Sequence, residues 1–96
     1  VSRIREAKPR ASIFLIAPSG NTYDNTKLHT IEEYSNTQLK VAKELNTGHV
    51  SLYRNLGDFA MTNANGLMYT DGVHPNKEGG YAISNIVYDR LLRLAY

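Results

Sequence analysis

Asp71 and His74 stand three residues apart in Tyr69-Thr70-Asp71-Gly72-Val73-His74-Pro75-Asn76, the stretch of this sequence best suited to chemistry. A histidine acting as general base keeps one ring nitrogen free for the proton it takes. Its other nitrogen is tied to an acceptor that fixes the tautomer and stabilises the imidazolium. Asp71 supplies that acceptor if Gly72-Val73 turns the chain back, and glycine permits the backbone angles such a turn needs. Pro75 stiffens the exit and Asn76 begins a helix, so His74 is expected at the rigid mouth of a sheet. The same residues also read as an ordinary turn, because Asp-Gly is a turn dipeptide and Asp-x-x-His is a short motif. A metal site would need a third ligand. His29 and His49 have no ligand spacing to His74, so none is expected.

Two further positions are weaker candidates. Ser19 follows an apolar run in Pro18-Ser19-Gly20, and Ser19, Asp71 and His74 occur in the chain order of α/β-hydrolase triads. The Gly-x-Ser-x-Gly elbow is absent, since Ala17 and Asn21 stand where its glycines belong. Ser19 therefore reads first as an ordinary turn serine, and otherwise as a residue lining a substrate pocket. Met68, with Met61, Leu67 and Tyr69, forms either an apolar wall beside His74 or a satellite cluster under a long loop. Asn63 and Asn65 reach either substrate hydroxyls or their own turns.

The elements that position these residues alternate. Ser2 to Lys8 reads as the last turns of a helix, ended by Pro9. Ser12 to Ala17 is a short, continuously apolar run, as expected of a parallel strand buried on both faces. Asn21 to His29 is a predicted loop. Thr30-Ile31-Glu32-Glu33 fits a reciprocal capping box, followed by Ile31, Tyr34, Val41, Ala42 and Leu45 on one helical face with Gln38 interrupting. Gly48 is the expected left-handed cap. His49 to Arg54 reads as a second strand, nearer a sheet edge, and Asn55 to Thr70 as a long irregular loop. Asn76 caps a final helix over Lys77 to Leu94, striped by Ile83, Ile86, Val87, Leu91 and Leu94. This order implies a right-handed parallel crossover with helices on the sheet. Two strands do not make a stable sheet, so the missing strands are expected from elsewhere.

Composition bounds the remainder. The 96 residues make one small domain, with about 5,500 Å² accessible when folded and about 65% of the unfolded surface buried. A net charge of +2 gives no reason to expect a nucleic-acid partner, and no apolar run is long enough to span a membrane. Arg3, Arg5, Lys8 and Arg10 read as a solvated helix face without the glycine-rich cradle of a phosphate loop. The absence of cysteine excludes disulfides and thiolate sites and leaves the compartment open. A start at Val1, inside what reads as a helix, predicts a piece of a larger protein.

Tyr69-Thr70-Asp71-Gly72-Val73-His74-Pro75-Asn76, then Gly79-Gly80-Tyr81 and an amphipathic last helix, closely resembles the final block of the SGNH hydrolases, also called GDSL-type esterases and lipases. The resemblance spans nearly the whole chain, but its specificity rests on about a dozen residues. It implies an α/β fold with a three-layer parallel sheet and flanking helices, the flavodoxin-like SGNH fold. Residues 1–96 would be its C-terminal portion. It implies a serine esterase working through an acyl-enzyme on an acetyl or short-chain ester, carbohydrate-linked ones included, with no metal or organic cofactor. His74 would be the base and Asp71 its support. The nucleophile block Gly-Asp-Ser and the oxyanion-hole Gly and Asn blocks are absent. The implied partner is therefore the remainder of the same hydrolase domain, about 100 residues holding two or three more strand–helix units, without which the chain is inert. The alternative is a non-catalytic carbohydrate-binding or structural module on the same scaffold.

Overall fold

The computed structural model describes residues 1–95, the side chains of Asn25, Leu94 and Ala95 excepted. It is a small α/β structure: α1 Ser2–Ala7, β1 Phe14–Ala17, α2 Ile31–Leu45, β2 Gly48–Ser51, α3 Leu52–Leu56, α4 Phe59–Ala64 and α5 Lys77–Ala95. The strands are parallel, joined through α2, and in register from Phe14 beside Gly48 to Ala17 beside Ser51. No helix among the described residues is long and apolar enough to cross a membrane.

Local chemistry accounts for most element boundaries. Thr30 Oγ1 accepts the Glu33 amide at 3.1 Å, one half of the expected capping box. The other half does not form, because the Glu33 carboxylate turns to His29 Nδ1 at 2.9 Å. Asp24 Oδ1 takes over an orphan donor instead, accepting the Ile31 amide at 2.7 Å. At the far end of α2 the left-handed cap is Asn46, φ 55°, rather than Gly48, which is the first residue of β2. Arg5 of α1 donates to the Asn46 carbonyl at 3.0 Å, so one of the residues expected on a solvated face serves a helix terminus.

The second strand is shorter than expected. Ser51 Oγ accepts the Arg54 amide at 3.1 Å and starts α3 at Leu52, inside the run predicted as strand. The predicted loop from Asn55 likewise contains α4, which Asp58 caps by accepting the Met61 amide at 3.0 Å. Both differences have one cause. Side-chain caps started helices of one or two turns, too short for periodicity to announce.

Burial is thinner than the expected core. Among the described residues the buried apolar ones are Ala17, Ala42, Val50 and Leu52. The β1 run is not buried on both faces, since Ile16 is 46% exposed, and Tyr34 of α2 faces solvent. Total accessible surface is 7000 Å² and the radius of gyration 14.6 Å, against about 5,500 Å² and about 12.5 Å for a compact chain of this size. The outline is flat, 41 × 32 × 19 Å, and the sheet among the described residues has two strands. On α5, Ile83, Ile86 and Val87 are half-buried and Leu91 is exposed; Leu94 lies outside the described side chains.

Polar contacts between distant elements supplement this core. Ser35 of α2 donates to Ser51 Oγ at 2.6 Å in a buried pair. Ser51 therefore faces α2, and alternation puts His49 on the same face and Val50 opposite. His49 is buried, and burial first, then Arg90 and Arg54, push its imidazole below the ordinary 6.5. The unfolded chain binds that proton at the ordinary value, so stability holds above about pH 6.5 and falls with acidification below it. A urea-denaturation series from pH 7.5 downward should show that decline, and His49→Leu should flatten it. An equal slope in both proteins would mean that His49 does not cause the loss.

Candidate active site

The loop that carries Asp71 and His74 is a narrow hairpin closed by the backbone. The chain leaves α4 through a turn at Gly66, and Met68 and Pro75 then form an antiparallel bridge. Tyr69 N–H donates to the His74 carbonyl at 2.9 Å and Asn76 N–H to the Leu67 carbonyl at 2.9 Å. At the tip, Gly72 N–H donates to the Tyr69 carbonyl at 3.1 Å, with Gly72 at φ 69°. The turn inferred from Asp-Gly is thus present, and it needs the conformation that glycine adopts without strain.

Within this turn the two candidate residues meet. His74 Nδ1 lies 2.6 Å from Asp71 Oδ2. The second carboxylate oxygen, Oδ1, accepts the amides of Val73 at 2.9 Å and His74 at 3.0 Å. The hydrogen bond from His74, then those two amides, hold the Asp71 carboxyl at about 2, below its ordinary 3.8. Asp71 is therefore an acceptor throughout the neutral range and orients the ring through Nδ1. Nε2 has no hydrogen-bond partner among the described residues, and the His74 side chain is 72% exposed. An imidazole so held can take a proton from a group that approaches Nε2.

Two anchors fix the hairpin in space. Asn76 Nδ2 donates to the carbonyls of Gly66 at 2.7 Å and Met68 at 3.3 Å, while its Oδ1 accepts the Gly79 amide at 2.9 Å. One carboxamide thereby caps α5, as expected, and also clamps the base of the loop. Gly79 packs so closely on the Leu67 carbonyl and Pro75 that a Cβ there has no room. The second anchor is Thr22, whose N–H donates to the Gly72 carbonyl at 3.0 Å and whose Oγ1 donates to it at 3.3 Å. Thr22 was not singled out from sequence. Its partner lies 50 residues away, and no local pattern announces such a contact.

The weaker candidates do not join the pair. Ser19 is half-buried in the segment from β1 to Thr22, and no hydrogen bond links it to His74 among the described residues. Met68 and Leu67, at the base of the hairpin, are half-buried, whereas Met61 and Tyr69 are exposed, as are Asn63 and Asn65. A cavity of about 290 Å³ lies beside Thr22, walled by Asn21, Asp24, Tyr53, Asp58 and Phe59. Among the described residues no three His, Cys, Asp or Glu side chains gather as a metal site. Comparison with known proteins returns no matching family model, no matching curated protein and no matching solved structure.

Two outcomes test this geometry. The Val73 and His74 amide resonances should stay constant as pH falls through 3.8 and titrate near about 2, when Asp71 takes a proton. A midpoint at the ordinary value would mean that the pair is not formed in solution. Gly72→Ala should cost about 1–2 kcal/mol from the left-handed backbone alone, with a further loss because its Cβ would lie 2.5 Å from Thr22 Cγ2. Thr22→Ser in the same chain should restore only the second part, read from urea midpoints.

Proposed function

We propose that this chain carries the base and its supporting carboxylate of an SGNH-type serine esterase, with the nucleophile supplied by polypeptide additional to these 96 residues. The observation that carries the reading is the Asp71–His74 pair, 2.6 Å apart at Nδ1, with the His74 side chain exposed and Nε2 unpartnered among the described residues. Asp71 selects the Nδ1–H tautomer, leaving the Nε2 lone pair to accept a proton.

In this mechanism His74 Nε2 takes the serine hydroxyl proton as the oxygen attacks the ester carbonyl carbon. The tetrahedral adduct collapses, the bond to the alkoxy oxygen breaks, and His74 returns the proton to the departing alcohol. Water then attacks the acyl-enzyme with His74 again as base, releasing the carboxylic acid and the free serine. Asp71, anionic throughout, stabilises the imidazolium formed in each half. The acyl group proposed is acetyl or another short chain.

Two structural features support a partner of the kind this reading needs. Accessible surface is well above that of a compact chain of this length, and the outer edge of β1 has no strand beside it among the described residues. Further parallel strands on that edge would cover Ile16 and build the three-layer sheet of an SGNH fold.

The test is fluorophosphonate labelling and ester turnover of the full polypeptide that contains these residues. His74→Ala should abolish labelling and lower turnover by about 10²- to 10⁴-fold. Residues 1–96 alone should remain unlabelled. Undiminished labelling of the His74→Ala protein would overturn the assignment, and labelling at Ser19 would move the nucleophile into this chain.

A further inference from the structure

The outer edge of β2 is capped by an arginine and an asparagine, beside further arginines, in an arrangement that the esterase reading does not use. Gly48 N–H donates to the Ile13 carbonyl, so Gly48 and Val50 turn their backbone groups toward β1. Those of His49 and Ser51 consequently point to the open side. Two side chains reach this edge: Arg90 Nε donates to the His49 carbonyl at 3.1 Å, and Asn55 Nδ2 to the Ser51 carbonyl at 2.7 Å. Against the edge lies a cavity of about 420 Å³ bounded by α2, α3 and α5. Leu39, His49, Arg54, Asn55, Arg90 and Arg93 form much of its wall.

We propose that this cavity binds a phosphate-bearing small molecule, its phosphate held by the guanidiniums of Arg54 and Arg90, with His49 among the residues of the wall. Charge is the first argument. Three guanidiniums line the space and one carboxylate, Asp89, accompanies them, paired with Arg93 at 3.2 Å. The surplus of two positive charges matches a phosphate monoester dianion and exceeds what one carboxylate would neutralise.

Preorganisation is the second argument. Arg90 is held by a backbone carbonyl and Arg54 by Asn36 Oδ1 at 2.8 Å, so neutral acceptors position both side chains without cancelling their charge. Arg90 spends Nε and keeps both terminal nitrogens; Arg54 keeps Nε and Nη1. The two terminal nitrogens of Arg90 present a parallel N–H pair suited to two oxygens of a phosphate, and Arg54 adds single donors beside it.

His49 is the third and independent observation. The residue is 8% exposed and among those that line the cavity, and its Nε2 is buried with no hydrogen-bond partner among the described residues. Burial, then the two arginines, lower its pKa, so at neutral pH the ring adds no charge to the wall. The cavity shares no lining residue with the Asp71–His74 hairpin, so the two proposals stand or fall separately.

Titration of the isotopically labelled full chain with inorganic phosphate, at constant ionic strength against chloride, tests the site. Saturable shifts are expected at the His49 ring nitrogens and at Arg54 and Arg90 Nε. Arg54→Gln should weaken binding about tenfold while β2 keeps its Arg90 cap. Arg90→Gln should weaken it at least as much, and Arg54→Gln keeps the test decisive if that protein unfolds. Absence of saturation, equal shifts with chloride, or unchanged affinity in Arg54→Gln would overturn the proposal. Acetate binding as tightly as phosphate would overturn it too, by showing a carboxylate site.

Discussion

The Asn76 carboxamide is the joint on which the candidate active site depends. It donates to two carbonyls of the chain leaving α4 and accepts the Gly79 amide at the first turn of α5, so loop base and helix move as one body. Hydrogen bonds in three directions from one short side chain leave it little rotamer freedom. The Asp71–His74 contact would otherwise be an exposed ion-pair geometry of the kind that contributes little when both partners are mobile. Here the carboxylate also accepts two amides of its own turn, and the imidazole inherits its direction from that turn.

A second constraint shapes the rest. With Ala17, Ala42, Val50 and Leu52 as its buried apolar residues, the structure has little hydrophobic burial per residue. Polar contacts between distant segments set much of its geometry: Ser35 with Ser51, Arg5 with Asn46, Thr22 with Gly72, Arg90 with the His49 carbonyl. Such contacts are directional, so they fix relative placement more sharply than a small greasy core would. They also leave arginines at the β2 edge positioned but not neutralised.

Much of the scaffold was legible in the residues. Pro9, the Thr30 cap, the apolar β1 run and the Asn76 cap each place an element within a few positions of where it lies. The parallel relation of the strands follows from the intervening helix. The short helices α3 and α4 were not legible, because Ser51 and Asp58 look like any polar residue until their oxygens are seen to accept an amide. Tyr34 and Ile16 were misplaced for another reason. Periodicity marks an apolar face, but only the neighbouring elements decide whether anything covers it.

Composition and order by themselves determined that the chain is a helix–strand alternation and that Asp71 and His74 can meet, since a glycine turn between residues three apart is a local matter. Tertiary structure alone decided that Thr22 braces the tip of that turn, that Asn76 clamps its base, and that His49 is buried beside two arginines. Each of these depends on segments brought together across tens of residues, where bond geometry and solvent exclusion act and sequence spacing carries no signal.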